Sequence, residues 1–266
     1  MKRALSFILS LVMGFSVLTV SASAAQKPGN SPAQETRSIK GRQASSAMVE
    51  MLEEEGIPVT EDTVIELVPL SSTETGIATL SADDRSGGSA LVITNKEGTE
   101  VTTDILAFVA ADGSGFSDMY AILASPDYKS HDFKIYNKIS IHGTAVYKQY
   151  SHDGLVYTSP QGVKFTYTKY QECNVPYIEM IYTCNGGNYS YPGLVHDGTN
   201  AYYTVNVEQT NPKTSITYSK MKTYPSNKVI FAQTGGDYAS PGNSLTFTVT
   251  LDGKTYTDSA GVDAPL

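Results

Sequence analysis

A two-residue alternation of apolar and polar side chains constrains this chain more than any other feature. In residues 163–170, Val163, Phe165 and Tyr167 alternate with lysine and threonine. Successive side chains of a β-strand point to opposite faces, so this segment has one buried face and one solvent-facing face. Residues 245–251 show the same alternation and lead into Asp252-Gly253, a sequence that favours a type I′ turn. Both segments predict half-buried strands of an antiparallel sheet.

Strand-like segments recur along the rest of the chain and are separated by turn sequences such as Asn185-Gly186-Gly187 and Asp197-Gly198. The longest segment predicts a strand with a bend at Gly143. This spacing is typical of antiparallel sheets packed face to face. We therefore predict an all-β fold, an Ig-like or jelly-roll-like antiparallel β-sandwich. The strands are expected at 63–70, 90–94, 101–110, 119–124, 132–150, 155–158, 163–170, 177–184, 201–208, 215–221, 228–232, 244–251 and 254–258.

One amphipathic helix is expected near the start of the chain, at residues 42–55. Its apolar residues recur at helical spacing, and Gly56 is a typical residue to follow a helix C-terminus. The stripe consists of Ala44, Ala47, Met48, Met51 and Leu52. Such a short helix needs a packing partner, and the β core is the obvious one. A propeptide or partner-binding role for this helix is the alternative.

The first residues resemble a secretory signal peptide. Lys2 and Arg3 precede an apolar run, and Ala22-Ser23-Ala24 fits a cleavage site, so residues 1–24 are expected to be removed on export. Residues 25–41 are polar and rich in Pro, Gly and Ser, which indicates a disordered linker. We expect residues 42–89, the helix with one strand segment, to pack on a β-sandwich domain at 90–266. No later apolar run is long enough for a membrane span, which predicts a secreted, extracellular protein.

The charge of the chain argues against nucleic-acid binding. The formal net charge is −8, and loss of the two cations of the signal peptide would make the remainder more acidic. A nucleic-acid site needs a basic patch, which this composition does not favour.

The chain has two cysteines, Cys173 and Cys184. In an exported chain they predict one disulfide. A turn at Asn174 to Pro176 followed by a straight strand would instead separate them by more than ~20 Å, too far for a bridge. Two unpaired thiols are therefore the alternative.

Sequence motifs for catalysis and for metal or cofactor binding are missing. There is no Gly-x-Ser-x-Gly elbow, His-Glu-x-x-His, phosphate loop or dinucleotide fingerprint, so no catalytic residue, metal site or cofactor is predicted. The three His-Asp pairs are interpreted as turn residues, and His142 as a half-buried partner within a strand. A pair of carboxylates assembled across strands is the alternative kind of catalytic site, with Glu172, Glu179 and Glu208 as the candidates.

Tyrosine dominates the aromatic composition, with 18 Tyr, 8 Phe and no Trp. Several tyrosines lie near predicted loops, and a tyrosine ring combines a flat apolar face with a hydroxyl group that tolerates water. The general preference of tyrosine for strands is the competing explanation. We therefore predict a secreted, non-enzymatic binding or surface-interaction protein, whose partner is an extracellular glycan, a cell-wall component or a protein. The alternative is a secreted, glycosidase-like hydrolase. The expected contact residues are Tyr189, Tyr191, His196, Tyr202 and Tyr203, with Tyr224 and Tyr238 as further candidates.

Overall fold

The computed structural model describes residues 37–39, 46–70, 88–116, 137–231 and 243–261. Within these residues, one short helix accompanies twelve strands that form an antiparallel sheet, which confirms the all-β prediction. The elements are β1 (Arg37–Ile39), α1 (Ser46–Glu54), β2 (Val64–Pro69), β3 (Ser89–Glu97), β4 (Glu100–Ala110), β5 (Asn137–His152), β6 (Leu155–Lys169), β7 (Tyr177–Ser190), β8 (Val195–Thr210), β9 (Tyr218–Met221), β10 (Lys228–Phe231), β11 (Asn243–Leu251) and β12 (Lys254–Gly261).

The sheet consists of two halves that the short strand β10 connects. Strands β1 to β6 follow one another in order, with β9 beside β6, and β12-β11-β7-β8 form the second half. Strand β10 pairs with β6 through Ile230 and with β7 along its full length. The predicted sandwich thus consists of layers that belong to one hydrogen-bonded sheet, whereas separate sheets were expected.

The two halves pack face to face around the main hydrophobic core. Gly143 of β5 lies against Met180 of β7, and the rings of Phe116 and Phe247 meet edge to face at 4.9 Å. Inward positions alternate along β11, where Leu245, Phe247, Val249 and Leu251 are all buried as the sequence predicted. The core therefore follows the two-residue period on both halves.

Helix α1 covers the opposite face of β2, β3 and β4. Met51 and Leu52 are fully buried there, in a second cluster that includes Ile93 and Phe108. The helix ends as predicted at Gly56, whose φ of 77° lies in the left-handed region. The Gly56 N–H donates to Glu53 O at 3.0 Å, which closes the last turn.

Several predicted strand ends differ from the structure. The expected bend at Gly143 is wrong, because β5 runs unbroken past it. Strand β6 likewise continues through Pro160, which pairs with Tyr147 beside a register shift that accommodates its missing N–H. The predicted turns at 185–187 and 197–198 both lie within strands, and β7 and β8 are joined instead at residues 191–194.

The structure describes only a small part of the predicted signal peptide and linker. Residues 1–24, the expected signal peptide, lie outside the described residues, as do 25–36 of the expected linker. Residues 37–39 form β1 and pair with β2, so this part of the linker prediction is wrong. The expected strand at 119–124 also falls outside the described residues. Residues of both 42–89 and 90–266 contribute to the same sheet, because β2 pairs with β3.

The predicted disulfide is wrong: Cys173 and Cys184 are unpaired. Cys173 lies in the segment before β7, whereas Cys184 is buried in the core, seven residues into that strand. A strand of this length separates its ends by more than ~20 Å, which a disulfide cannot bridge. Burial raises the pKa of the Cys184 thiol to about 12, so it behaves as an inert apolar side chain.

Candidate functional site

Two β-hairpins lie side by side at one end of the sheet. The β5–β6 hairpin turns at Asp153-Gly154, where both φ angles are positive as in a type I′ turn. The β7–β8 hairpin turns at residues 191–194. Strand β10 lies between them, pairing with Thr158 of β6 and with Ser190 of β7. Side chains from five strands therefore meet at this end.

Six aromatic rings form a contiguous cluster across these hairpins and β10. The Tyr189 ring lies 4.9 Å from that of His196 and 5.2 Å from that of Tyr157. Tyr150 of β5 is the cross-strand partner of Tyr157, and its ring lies 4.5 Å from that of Tyr191 in the β7–β8 turn. We call these residues the hairpin aromatic cluster: Tyr150, Tyr157, Tyr189, Tyr191, His196 and Phe231.

A glycine allows two of these rings to lie over the sheet. A Cβ atom built on Gly187 would be 2.9 Å from Cε2 of Tyr189 and 3.4 Å from the His196 ring. Both rings therefore lean along the strands over Gly187, the pairing partner of Asn200. An aromatic ring in this orientation can present its flat face to a ligand.

The hairpins also carry solvent-exposed apolar side chains. Leu155 is 45% exposed, Tyr191 36% and Val195 66%, and each of them lies within a few residues of a hairpin turn. Exposed apolar residues grouped in this way mark interaction sites more often than scattered single residues do.

A polar network braces the β7–β8 hairpin against β10. Lys228 Nζ lies 2.9 Å from Asp197 Oδ2, and the Asn188 amide and Thr199 hydroxyl also donate to that carboxylate. The Lys228 contact, followed by the Thr199 hydroxyl, lowers the pKa of Asp197 to about 2. Lys228 also donates to Ser190 Oγ at 3.2 Å. The network holds in place the strand segments that carry Tyr189 and His196.

The structure brings together three of the five predicted contact residues. Tyr189, Tyr191 and His196 lie in the hairpin aromatic cluster, whereas Tyr202 lies further along β8, 77% exposed. Tyr203 faces inward, is only 2% exposed, and donates to Lys222 O at 2.7 Å, so its assignment to a contact surface is wrong. Adjacent residues of a strand point to opposite faces, which explains why Tyr202 is exposed while Tyr203 is buried.

The further tyrosine candidates contribute little to this surface. Tyr224 is half-buried against Tyr203, with ring centroids 6.3 Å apart, and its hydroxyl donates to Asn188 Oδ1. Tyr238 lies outside the described residues. Sequence reasoning missed Tyr150, Tyr157 and Phe231, because each belongs to another strand and no local pattern links them to Tyr189.

Two of the three candidate acids are cross-strand neighbours. Glu179 of β7 pairs directly with Glu208 of β8, a position that places Cβ atoms about 4.5–5.5 Å apart. Tyr177 donates to Glu208 at 3.2 Å, and Asn206 donates to Glu179 at 3.1 Å. Burial, followed by the charge of Glu179, raises the pKa of Tyr177 to about 12. Glu172 is separate from this pair and forms a 3.3 Å ion pair with Lys169.

The histidines differ in burial and in the residues that they contact. His142 Nε2 lies 2.8 Å from Asp104 Oδ1, which also accepts from Thr144 at 2.6 Å, so His142 is a half-buried partner as predicted. His152 is exposed at its hairpin, 3.4 Å from Asp153. The His196 ring lies beside that of Tyr189 at an angle of 46°, and His131 lies outside the described residues.

Among the described residues, no group of three or more His, Cys, Asp or Glu side chains is arranged to hold a metal ion. No helix in that part of the chain has the length and apolar character to cross a bilayer. No protein-family model, curated protein or solved structure matches this chain.

Proposed function

We propose that this chain is an exported, non-catalytic binding module whose contact surface is the exposed part of the hairpin aromatic cluster, supported from beneath by Tyr157, which is only 5% exposed. The observation that carries the proposal is the convergence of six aromatic rings, one from each of five strands and Tyr191 from the β7–β8 turn, beside exposed Leu155 and Val195. Export is inferred from residues 1–24, whose pattern is that of a signal peptide.

The braced geometry of the hairpins supports a binding role. Asp197 and Lys228 hold the β7–β8 hairpin against β10, and the type I′ turn fixes the β5–β6 hairpin. A surface whose side chains are already held in place loses less conformational entropy when it binds a partner. Tyrosine suits such a surface, because its rigid ring offers a large contact area with few rotatable bonds.

The test is retention of the purified chain on insoluble glycans, on cell-wall material and on immobilised extracellular proteins. We expect the double substitution Tyr189→Ala with Tyr191→Ala to weaken retention on the bound material by roughly tenfold or more, since central aromatic anchors contribute most of the binding energy. The matched control is Ile216→Ala with Met221→Ala. These residues are 43% and 56% exposed but lie outside the cluster, so retention should be unchanged. Equal retention of wild type and both double variants would exclude the hairpin aromatic cluster as the contact surface.

A second candidate function, a secreted glycoside hydrolase, has one observation in its favour. Glu179 and Glu208 face each other across β7 and β8, and a retaining glycosidase uses two carboxyl groups at about 5 Å. Turnover of a polysaccharide that is lost on both Glu179→Gln and Glu208→Gln would favour this function over simple binding. Turnover that persists in both variants would exclude this pair of carboxylates as the catalytic site.

A further inference from the structure

A row of outward-facing side chains connects the hairpin aromatic cluster with Tyr202. Tyr189 pairs with His196, Gly187 with Asn200 and Asn185 with Tyr202. These three pairs lie on the same face of β7 and β8, because each is two residues along β7 from the next. The distance along β7 from Tyr189 to Asn185 is about 13 Å.

The two ends of this row are aromatic, and its middle contributes only asparagine side chains. Gly187 has no side chain, and the Tyr189 and His196 rings lean over it. Tyr202 is 77% exposed, and in the part of the chain that the structure describes no other aromatic ring or cation lies against it. The row is therefore a shallow strip with a ring at each end and asparagine side chains between them.

The outward positions of the strip hold no Asp, Glu, Lys or Arg, although the chain as a whole is acidic. Its outward positions are Thr183, Asn185, Gly187 and Tyr189 on β7, and His196, Asn200, Tyr202 and Thr204 on β8. Of the ionised groups beside the strip, Asp197 and Lys228 bind each other, and Lys222 Nζ donates to the backbone oxygen of Thr204 at 3.0 Å. An uncharged strip favours an uncharged ligand, because a charged one would lose its hydration without gaining a partner of opposite charge.

From these observations we infer that the strip binds a neutral, unbranched oligosaccharide lying parallel to β7 and β8, with one sugar stacked at Tyr189 and another at Tyr202. Sugar rings have apolar faces that stack on tyrosine, and the amide groups of Asn185 and Asn200 can donate to and accept from sugar hydroxyl groups. This inference rests on the proposed binding function and specifies its ligand class. A separation of about 13 Å between the ends of the strip exceeds a single sugar ring and requires a chain of several sugars.

Affinity measured against sugar chain length tests the inference. Calorimetry with mono-, di-, tri- and tetrasaccharides of the neutral glycan that best retains the chain should show an increase in affinity once the sugar reaches Tyr202. We expect Tyr202→Ala to abolish that increase, a loss of roughly threefold to tenfold for the longest sugar, while short sugars bind as before. Tyr202→Phe keeps the ring and should retain the increase.

The results separate this inference from the proposed function. Two results would overturn the assignment of the strip as an oligosaccharide site. One is affinity that does not depend on sugar length, and the other is an equal loss of affinity for all sugar lengths in Tyr202→Ala. Retention on proteins or charged polymers alone, still sensitive to Tyr189→Ala with Tyr191→Ala, would overturn the ligand class and keep the binding function. Insensitivity to that double substitution would overturn both.

Discussion

Asp258 occupies an inward position of β12 that is otherwise apolar. It lies opposite Phe247 of β11, between the inward residues Tyr256 and Ala260, and is only 3% exposed. Burial raises its pKa to about 6, although the Ser259 N–H donates to the carboxylate at 2.8 Å and acts in the opposite direction. A buried carboxylate with this pKa lowers the stability of the protein at neutral pH.

The pH dependence of stability should reveal this residue. The folded-state pKa of about 6 lies above the ordinary value of 3.8, so the cost of the ionised group is full above the higher value and disappears as the pH falls to the lower. Asp258→Asn keeps an acceptor for Ser259 and removes the charge. We expect the stability of this variant relative to wild type to increase by about 2–3 kcal/mol from pH ~4 to pH ~7, measured by urea unfolding.

A control of opposite sign lies in the neighbouring turn. The Asn174 N–H, followed by Lys138, lowers the pKa of Asp252. Its stabilising contribution is therefore present above 3.8 and is lost as the pH falls through the lowered pKa. Asp252→Asn should accordingly be less stable than wild type at neutral pH, and this difference in stability should disappear at acid pH. A relative stability of Asp258→Asn that is flat with pH would contradict the assignment.

Among the elements, helix α1 shows how packing determines the role of a weak local signal. The helix is short, and an isolated helix of this length is unstable in water. Met51, Leu52 and Ile57 pack on Leu91, Leu106 and their neighbours, which favours the packed-helix interpretation over a detachable propeptide. Glu55, just after the helix, also accepts a hydrogen bond from Ser140 of β5 at 2.8 Å.

Truncation of one side chain tests whether this packing contributes to global stability. Leu52 is fully buried between α1 and the sheet, and we expect Leu52→Ala to lower the free energy of unfolding by about 2–4 kcal/mol. Glu53 is the adjacent, exposed residue of the same helix, so Glu53→Ala should change stability by less than about 0.5 kcal/mol. Denaturant unfolding measures both variants. Equal effects would mean that α1 is not part of the cooperative fold.

Over the whole molecule, the face-to-face packing of the two sheet halves includes one unusually close approach. A Cβ atom on Gly143 of β5 would lie 2.9 Å from the sulfur of Met180, a fully buried residue of β7. The residue that the sequence suggested as a bend in β5 is instead the point where a side chain from the opposite layer contacts the backbone.

A double-mutant cycle tests this contact between the halves. Gly143→Ala inserts a methyl group into a filled space and should destabilise the protein by about 1–3 kcal/mol. Met180→Ala alone should lower stability by about 2–5 kcal/mol through the cavity it leaves. Since the two sites share one space, the double variant should be more stable than the sum of the single effects, with a coupling of at least about 0.5 kcal/mol. Strict additivity, measured by denaturant unfolding, would show that the halves do not meet here.

The hairpin aromatic cluster was only partly predictable. Tyr189, Tyr191 and His196 are close in sequence, and the Gly- and Asn-rich composition around them predicts a contact surface. Tyr150, Tyr157 and Phe231 join them only because β10 pairs with both β6 and β7. The sequence does not show which of Tyr202 and Tyr203 faces inward, because a run of two tyrosines gives no indication of this when the strand register is unknown.

The amino-acid sequence alone determined the strand class, the inward residues of β11, the end of α1 at Gly56 and the turn at Asp252-Gly253. These are local properties, because side-chain alternation and positive φ depend only on neighbouring residues. Tertiary structure alone decided that Cys173 and Cys184 stay apart, that β7 and β8 run through two glycine-containing segments, and that six aromatic rings meet. Those outcomes depend on which distant strands pair. The pairing is determined by the total apolar surface that both halves of the sheet bury.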